Sequence, residues 1–522
     1  MDEKAKTIIA GFPLDAQWES IFESLSAADG PLDICYWVCN KPKGRNLEKT
    51  KMLFQNAVFH DVIDAIRSIE ELNIEQPCLD EQQLIELSRF EPIAMQMMDR
   101  LDPDNCFSYS ERKRHYHRLL KYWSAVLSHH KPTLVIFPSA PHMVYDYILY
   151  ILARKSNIRT LMVNVNSALG RVMLGEDIDD FCAQVKHAYK NTTPICDQQE
   201  TQIIDDHIKT LMMDYNAAKP HYMKMLEDNE LRFAPSLNPL KLAKSVYWQS
   251  RIAGRQIKSY FNLKTQWNQK PPDNYLKKRG VPLEAGGYSL KEWQAIKNKG
   301  IRKKRNLKKQ YESLVSNQID LSVKYVYVPL HYQPETTTCP EGGYYANQIL
   351  MIDLISTLIP DDWRIYVKEH YLQWQKQVSK GHQSRVPQDY CDLAAIPKVH
   401  LAPLSMNSFE LMDSSRVLAT VLGYAAWEAM VRGKPAFLFG APWFGAHENA
   451  HLVKTRDDFI QAFEQIKEGR VNLSHEKTKA YLAAYFSVSF IGRTNKWNKD
   501  VTTLSDQQNT ENFVRAFNAY LS

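Results

Sequence analysis

The chain alternates short apolar runs with segments whose apolar residues recur at helical spacing. The runs are rich in β-branched and aromatic residues, which is typical of strands buried on both faces of a parallel sheet. They are Thr7–Gly11, Leu32–Cys39, Leu134–Phe137, Thr160–Val165, Lys324–Leu330, Trp363–Val367, Val399–Leu401, Val417–Leu422 and Ala436–Phe439. Segments between them, such as Gln17–Leu25 and Tyr345–Leu358, fit helices. The alternation predicts an α/β fold built on parallel sheets.

The same pattern divides the chain. From Leu53 to Leu127 the periodicity is largely helical, and residues 236–315 hold few strand signals. At 522 residues the chain is too long for one hydrophobic core. We therefore expect four parts: an N-terminal domain over 1–235, a basic helical linker or insert over 236–320, a second domain over 321–475, and helices over 476–522 that could cross back to the first domain.

Composition narrows the class of protein. The hydrophobic share of 44% and the charged share of 24% are those of a soluble globular chain. No apolar run reaches the length of a membrane span, and the N-terminus lacks the apolar region of a signal peptide. The eight cysteines include no Cys-x-x-Cys pair, which argues against structural zinc. We expect a cytoplasmic protein, peripheral at the inner face of the membrane if it is membrane-associated at all.

Charge is distributed unevenly. The formal net charge is +6, and basic residues are concentrated between Lys241 and Lys309. A solvated helical face is the usual explanation for such a run. The sharper alternative is a surface that faces anionic lipid headgroups or a phosphorylated acceptor. The chain has no recognisable nucleic-acid-binding motif, so we expect no nucleic-acid partner.

One strand–helix–strand unit, between Arg416 and Gly440, carries the clearest candidate for a ligand site. Gly423 breaks the apolar run at the carboxyl end of a predicted strand, and Glu428 lies about one turn into the next helix. Ligands of open α/β sheets bind at such strand ends, beside helix N-termini. A carboxylate there could accept hydrogen bonds from a ribose diol. The simpler interpretation is a tight turn at Gly423 and a solvated Glu428.

Other predicted strand ends carry groups suited to phosphate. Lys368 and His370 follow one strand, and Ser405 and Ser408 follow the next. The glycine pair Gly342-Gly343 precedes a helix, where backbone N–H groups can approach an anion. Each of these could be structural when taken alone. Together, on successive strand ends, they favour a binding site.

Three stretches carry a resemblance to a known family. YVYVPLHYQPETTTCPEGGYYANQ, RIYVKEH and VLGYAAWEAMVRGKPAFLFG resemble the C-terminal half of capsule polysaccharide biosynthesis proteins, which include Kdo-transferase-like glycosyltransferases. The resemblance covers about Val323–Trp443 and is weak in the N-terminal half. It departs from the family where Tyr371, rather than proline, follows His370, and where Tyr424–Ala426 replace a Thr- and Gly-containing loop.

The resemblance implies a GT-B architecture, in which two Rossmann-like domains face an inter-domain cleft. It implies transfer of a sugar from a nucleotide donor to a growing capsule or other surface glycan or glycolipid, with the donor on the C-terminal domain. It favours a CMP-linked, Kdo-like acidic sugar and no metal or other cofactor. The expected donor-binding residues are Gln333, Glu335, Thr337, Gly342, Gly343, Lys368, His370, Ser405, Ser408, Gly423 and Glu428.

A catalytic base is expected on the opposite, N-terminal domain, because an acceptor hydroxyl loses a proton as it attacks. Asp15 follows the first predicted strand and is favoured by the resemblance, although it could instead cap the helix before Gln17. His142 is the second candidate, with Asp146 placed to orient it. Two other functions stay open: a nucleotide-sugar epimerase or hydrolase on the same scaffold, and a glycan-assembly protein without activity.

Overall fold

A computed structural model gives the architecture. It describes residues 4–40, 47–102, 105, 107–191, 196–218, 290–316, 319–334, 338–375, 381–468, 474–494 and 504–522. Two α/β units, each built on one sheet, make up this part of the chain.

The first sheet holds most of the N-terminal strands. They are β1 (Ala5–Ala10), β2 (Leu32–Cys39), β3 (Val58–Asp61), β4 (Leu134–Phe137), β5 (Arg159–Asn166) and β6 (Arg171–Gly175), joined by β13 (Phe490–Ile491) from near the C-terminus. Their order across the sheet is β3-β2-β1-β4-β5-β6-β13. The strands from β3 to β5 run parallel, whereas β6 and β13 each pair antiparallel.

Helices surround this sheet. They are α1 (Ala16–Ser26), α2 (Leu47–Leu53), α3 (Val62–Ile66), α4 (Glu81–Leu87), α5 (Glu91–Met98), α6 (Tyr109–His130), α7 (Tyr145–Lys155), α8 (Asp180–Asn191), α9 (Gln198–Met212) and α10 (Tyr215–Ala218). Short 3-10 turns occupy Ser88–Phe90 and Asp99–Leu101. α7 is buried along most of its length, which explains its nearly continuous apolar sequence.

The second sheet is wholly parallel. Its strands are β7 (Lys324–Pro329), β8 (Trp363–Lys368), β9 (Val399–Leu401), β10 (Val417–Thr420), β11 (Ala436–Leu438) and β12 (Ala450–Leu452), in the order β12-β11-β10-β7-β8-β9. Its helices are α11 (Leu290–Leu314), α12 (Thr338–Glu341), α13 (Gln348–Leu358), α14 (Pro387–Ala395), α15 (Ser408–Ser414), α16 (Tyr424–Val431) and α17 (Arg456–Lys467), with 3-10 turns at Gly343–Ala346 and Tyr371–Trp374.

The two sheets share one topology. In each, the strand that comes first in the chain lies centrally, and the chain moves outward on one side before crossing to the other. This is the Rossmann-type order, whose switch points lie between β1 and β4 and between β7 and β10. The fold expectation of two Rossmann-like domains facing a cleft is therefore confirmed, because loops from the carboxyl ends of both sheets line one cavity.

The sequence pattern misses four strands. β3 and β13 lie inside stretches that we expected to be helical, and β6 and β12 lie in stretches with no expected element. β3 is only four residues long and runs directly into α3, so Val58 and Val62 fall at a helical spacing. β6 forms a hairpin with β5, and no tight Asn-Gly or Asp-Gly pair marks its turn.

The C-terminal segment returns to the first sheet. After α18 (His475–Ser487), β13 pairs with β6, and α19 (Asp506–Leu521) packs against α1. Phe513 lies 5.1 Å from Trp18 between ring centroids, and both side chains are buried. The end of the chain therefore completes the first unit.

Most of the expected basic segment, residues 241–289, lies outside the described residues, and the remainder lies in α11. Within the described chain, no helix combines the length and the apolar character that crossing a membrane requires.

Candidate functional site

A cleft of about 960 Å³ lies between the carboxyl ends of the two sheets. From the first sheet, the loops after β4 and the end of β5 line it. From the second sheet, the loops after β7, β8, β9, β10 and β11 line it. Both switch points therefore open into the same space, which is where open α/β sheets bind ligands.

Lys368 provides a cation on the second-sheet wall. It ends β8 and is 9% exposed, and its Nζ donates to the Met406 carbonyl at 2.5 Å and to the Ser408 hydroxyl at 2.9 Å. These bonds fix the ammonium at the cavity wall next to a hydroxyl. An ammonium beside a serine hydroxyl is a suitable partner for a phosphate oxygen.

Glu369, the next residue, has a carboxylate that is fixed by three hydrogen bonds. Its buried carboxylate accepts from Arg385 Nε at 2.9 Å, from the Tyr390 hydroxyl at 2.7 Å and from the His370 backbone N–H at 2.7 Å. Arg385 also donates to the His331 carbonyl at 3.3 Å. One guanidinium therefore joins the ends of β7 and β8.

His370 is oriented by the backbone. Its Nδ1 accepts a hydrogen bond from the Leu372 N–H at 3.1 Å as the ring caps the 3-10 turn Tyr371–Trp374. An accepting Nδ1 means that the proton of the neutral ring is on Nε2. The ring therefore offers a donor at Nε2, which suits a phosphate oxygen.

Glu428 faces the cleft from α16, as the sequence predicts. Gly423 precedes the helix, and a Cβ there would lie 2.8 Å from Thr420 Oγ1 and 3.3 Å from the His331 ring. The backbone at the switch point of the second sheet therefore has no room for a side chain. Burial raises the pKa of Glu428 to about 7, and the positive charge of Arg432 partly offsets this.

His142 provides the matching group on the first-sheet wall. Its Nδ1 lies 2.7 Å from the Ala140 carbonyl, which can only accept, so Nδ1 carries the proton. In the neutral ring Nε2 then holds the lone pair. Two of the histidines that line the cleft thus have opposite polarity, since His370 can donate through Nε2 and His142 can accept there.

Asp146 supports this loop differently from the expectation. Its carboxylate accepts from three backbone N–H groups, those of His142 at 3.1 Å, Met143 at 2.6 Å and Tyr147 at 2.7 Å. It shapes the backbone before α7 and leaves the orientation of the His142 ring to the Ala140 carbonyl.

The structure separates the sequence-predicted residues into three groups. His142, Lys368, His370, Ser405, Ser408, Gly423 and Glu428 line the cleft together. Within the described chain, the lining does not include Asp15, Asp146, Gln333, Gly342 or Gly343. Glu335 and Thr337 lie outside the described residues.

Asp15 is an N-cap. Its Oδ1 accepts from the backbone N–H groups of Gln17 and Trp18, both at 3.1 Å, which is the alternative that the sequence left open. Phe12 and Leu14 in the same loop are buried, so this loop closes the first sheet instead of lining the cavity.

Gln333 and the glycine pair also have structural surroundings. Gln333 exchanges hydrogen bonds with Gln373 and donates to Thr338 Oγ1 at 2.6 Å. A Cβ on Gly342 would lie 2.6 Å from the Thr338 carbonyl and from Val421, and Gly343 has φ of +52°. The pair therefore permits close packing and a left-handed turn.

Several residues of the site escape sequence reasoning. Arg385 is remote from Lys368-Glu369-His370 in the chain, and no motif links them. His207, on α9, accepts from Trp427 Nε1 at 3.1 Å and stacks on that ring. Burial lowers the pKa of His207 to about 4, so the His207 ring is uncharged at neutral pH where it contacts α16, the helix that carries Glu428. The helical spacing of His207 with Ile204, Ile208 and Leu211 was the available signal.

Fold and cleft define a two-domain α/β protein with Rossmann-type sheets and a polar cavity at their shared switch points. No family model matches the chain, and no curated protein does. Solved structures with some similarity include UDP-GlcNAc 2-epimerase from Neisseria meningitidis, with 12% identity, a TM-score of 0.20 and coverage of 91% of this chain and 97% of that one.

Two transferases are also similar at this level. For KpsC from Thermosulfurimonas dismutans, a beta Kdo 2,7 transferase, identity is 8%, the TM-score is 0.31, and 81% of this chain and 95% of that one are covered. For a glycosyltransferase from Rickettsia africae, identity is 9% and the TM-score is 0.22, and 99% of this chain and 98% of that one are covered. With TM-scores below 0.5, none of these similarities bears on function.

Proposed function

We propose that the protein is a glycosyltransferase that moves a sugar from a nucleotide donor to a hydroxyl of a glycan acceptor. The observation that carries this proposal is the division of the cleft. Lys368, His370, Ser408 and Glu428 lie on its second-sheet wall, and His142 lies on its first-sheet wall. Anion-binding groups thus face a group able to take a proton.

On the donor side, each group has a role that matches its surroundings. Lys368 and the Nε2 proton of His370 contact the phosphate that joins the nucleoside to the sugar. Glu428 accepts from the ribose hydroxyls in its ionised form. The Glu369–Arg385 pair touches neither, and it holds the ends of β7 and β8 in place.

On the acceptor side, His142 acts as the general base. The acceptor oxygen attacks the anomeric carbon, its proton passes to His142 Nε2, and the bond from the anomeric carbon to the phosphate oxygen breaks. The leaving phosphate keeps the bonding electron pair, and Lys368 and His370 stabilise its added charge. Asp15, which caps α1, has no part in this scheme.

The assignment of a particular donor sugar and acceptor rests on the family resemblance. A CMP-activated, Kdo-like acidic sugar is the favoured donor, and a surface polysaccharide or its lipid-linked precursor is the favoured acceptor. No metal has a role in the scheme, because side chains supply the contacts to the leaving phosphate.

The test is a donor screen followed by product analysis. CMP-, UDP- and GDP-sugars are first compared by the rise in melting temperature that each causes. The best donor is then incubated with and without oligosaccharide acceptors. Transfer that requires the acceptor supports the proposal.

The other outcomes distinguish the remaining functions. Full-rate donor consumption without acceptor would instead indicate an epimerase or hydrolase. Absence of binding by every nucleotide would indicate a glycan-assembly protein without this activity.

A further inference from the structure

Helix α11 is anchored to the second unit through one face. Ile296, Leu307 and Tyr311 are buried on that face, as is Lys304, whose Nζ donates to the Gln375 carbonyl at 2.8 Å. The Tyr311 hydroxyl donates to the Ala402 carbonyl at 2.7 Å and accepts from the Glu369 N–H at 3.1 Å. The helix is therefore fixed against the loops that follow β8 and β9.

The opposite face of α11 is basic. At about 100° per residue, the buried positions fall within an arc of about 80°, Arg302, Arg305 and Lys309 lie on the opposite side, and Lys299 lies on its flank. All four are exposed. Asn298 and Asn306, also exposed, lie among them, so the stripe holds no acidic residue over its length of about 15 Å.

Three of these four charges have no ion pair within the described residues. Lys308, at the edge of the stripe, pairs with Glu312 at 3.6 Å. Arg302, Arg305 and Lys309 make no ion pair within the described part of the chain. These three cations along one helix face raise the local potential and attract an anionic partner.

The shape of the stripe distinguishes between partners. A single helix lying on the protein surface is a convex ridge. Single-stranded nucleic acids are held in grooves, commonly with aromatic side chains stacked on the bases. Between positions 298 and 309 the exposed side chains on this arc are basic or amide, and none is aromatic. A convex basic ridge without aromatic side chains fits a flat anionic surface better than it fits a single strand, and the sequence has no recognisable motif for binding a duplex.

We propose that the outward face of α11 docks the protein on an anionic lipid bilayer. Because the apolar face of the helix is used inside the protein, the contact is electrostatic and the helix is not inserted. The proposal goes beyond sugar transfer and does not depend on it. It would bring the donor-side wall of the cleft, which α11 contacts through Tyr311, close to the membrane.

The test is co-sedimentation of the full chain with vesicles of phosphatidylcholine alone or of phosphatidylcholine mixed with phosphatidylglycerol. One variant combines Lys299→Gln, Arg302→Gln, Arg305→Gln and Lys309→Gln. The matched control combines Arg114→Gln, Lys186→Gln, Lys190→Gln and Lys209→Gln, which removes the same charge from exposed positions of the first unit. Unchanged melting temperatures establish that both variants are folded.

We expect wild type and control to bind the anionic vesicles at low salt and not the neutral ones. The α11 variant should bind them at least 100-fold more weakly, since each basic residue near such a surface contributes about fivefold. Raising the salt concentration should weaken wild-type binding. Equal binding of the α11 variant and the control would overturn the proposal. So would wild-type chain that ignores vesicles but binds a soluble polyanion through the same four residues.

Discussion

The two sheets share a strand order but present different chemistry at their switch points. At the second sheet, Gly423 lets the backbone after β10 pack closely against Thr420 and the His331 ring, and Lys368 and His370 face the cavity. At the first sheet, the loop after β1 is closed by buried Phe12 and Leu14, and His142 after β4 is the ionisable group that reaches the cavity. Topology therefore determines where a site can form, and the strand-end residues determine what it binds.

The largest effect is expected from breaking the Glu369–Arg385 ion pair at the second-sheet wall of the cleft. Arg385→Met leaves the carboxylate of Glu369, which is fully buried, without its cation. We expect the free energy of unfolding to fall by about 3–5 kcal/mol, measured by chemical denaturation. Adding Glu369→Gln should restore part of the loss. Lys324→Met breaks the exposed pair with Asp362 and should leave the melting temperature nearly unchanged.

A large effect of a different kind is expected from the first-sheet wall. His142→Ala removes the proposed base, so turnover should fall about 100-fold or more while nucleotide affinity stays the same. Turnover and binding are measured on the same preparation. His187→Ala, at an exposed histidine of α8, is the control and should keep the wild-type rate. A normal rate in His142→Ala would show that His142 is not the general base.

A moderate, pH-dependent effect is expected at Glu428. Its pKa is about 7 in the folded protein, against an ordinary value of 4.5, so the folded state keeps this proton to higher pH than the unfolded state. Stability is therefore lost as pH rises from 4.5 to 7, and Glu428→Gln removes that loss. Relative to wild type, the variant should gain about 1–3 kcal/mol between pH 5 and pH 8.

The control for this pH dependence is Glu410→Gln, at an exposed position of α15. Its stability should follow the wild-type curve at both pH values. A Glu428→Gln curve that also runs parallel to wild type would show that the carboxyl group ionises freely in the cleft.

The smallest effect is expected at Asp15. Asp15→Ala removes an N-cap and should lower the free energy of unfolding by about 1 kcal/mol, whereas Asp15→Asn should retain most of the cap. Transfer rates of both variants should match wild type. A rate loss in Asp15→Asn at unchanged stability would return this residue to the catalytic candidates.

The sequence predicts the second unit better than the first, for a physical reason. Five of the six strands of the second sheet, β7 to β11, are largely buried and form continuous apolar runs in the sequence. The helix expected after Gly423 is α16. Gly433 has φ of +92°, the left-handed conformation expected of a residue that ends a helix. In the first sheet, β3 is short and is followed at once by α3, so the spacing of apolar residues across the two elements is that of a helix.

Residues that line the cleft are predictable where they lie at the end of a strand or in the first turns of the helix that follows it. Lys368, His370 and Glu428 are found in this way. Arg385 is not, because its partner Glu369 is brought to it only by tertiary packing. Lys304 shows the same limit in a basic run, since it points inward and burial lowers its pKa to about 8, while Arg302 and Arg305 are exposed.

The central claim is that the nucleotide binds the second sheet and the proton is taken by the first. Calorimetric titration of CMP, UDP and GDP into wild type, Glu428→Ala, His370→Ala and His142→Ala tests it most directly. We predict that Glu428→Ala and His370→Ala each weaken the best nucleotide by about 1–3 kcal/mol, while His142→Ala binds it like wild type. Unchanged affinity in both second-sheet variants, or loss of binding in His142→Ala alone, would contradict the account.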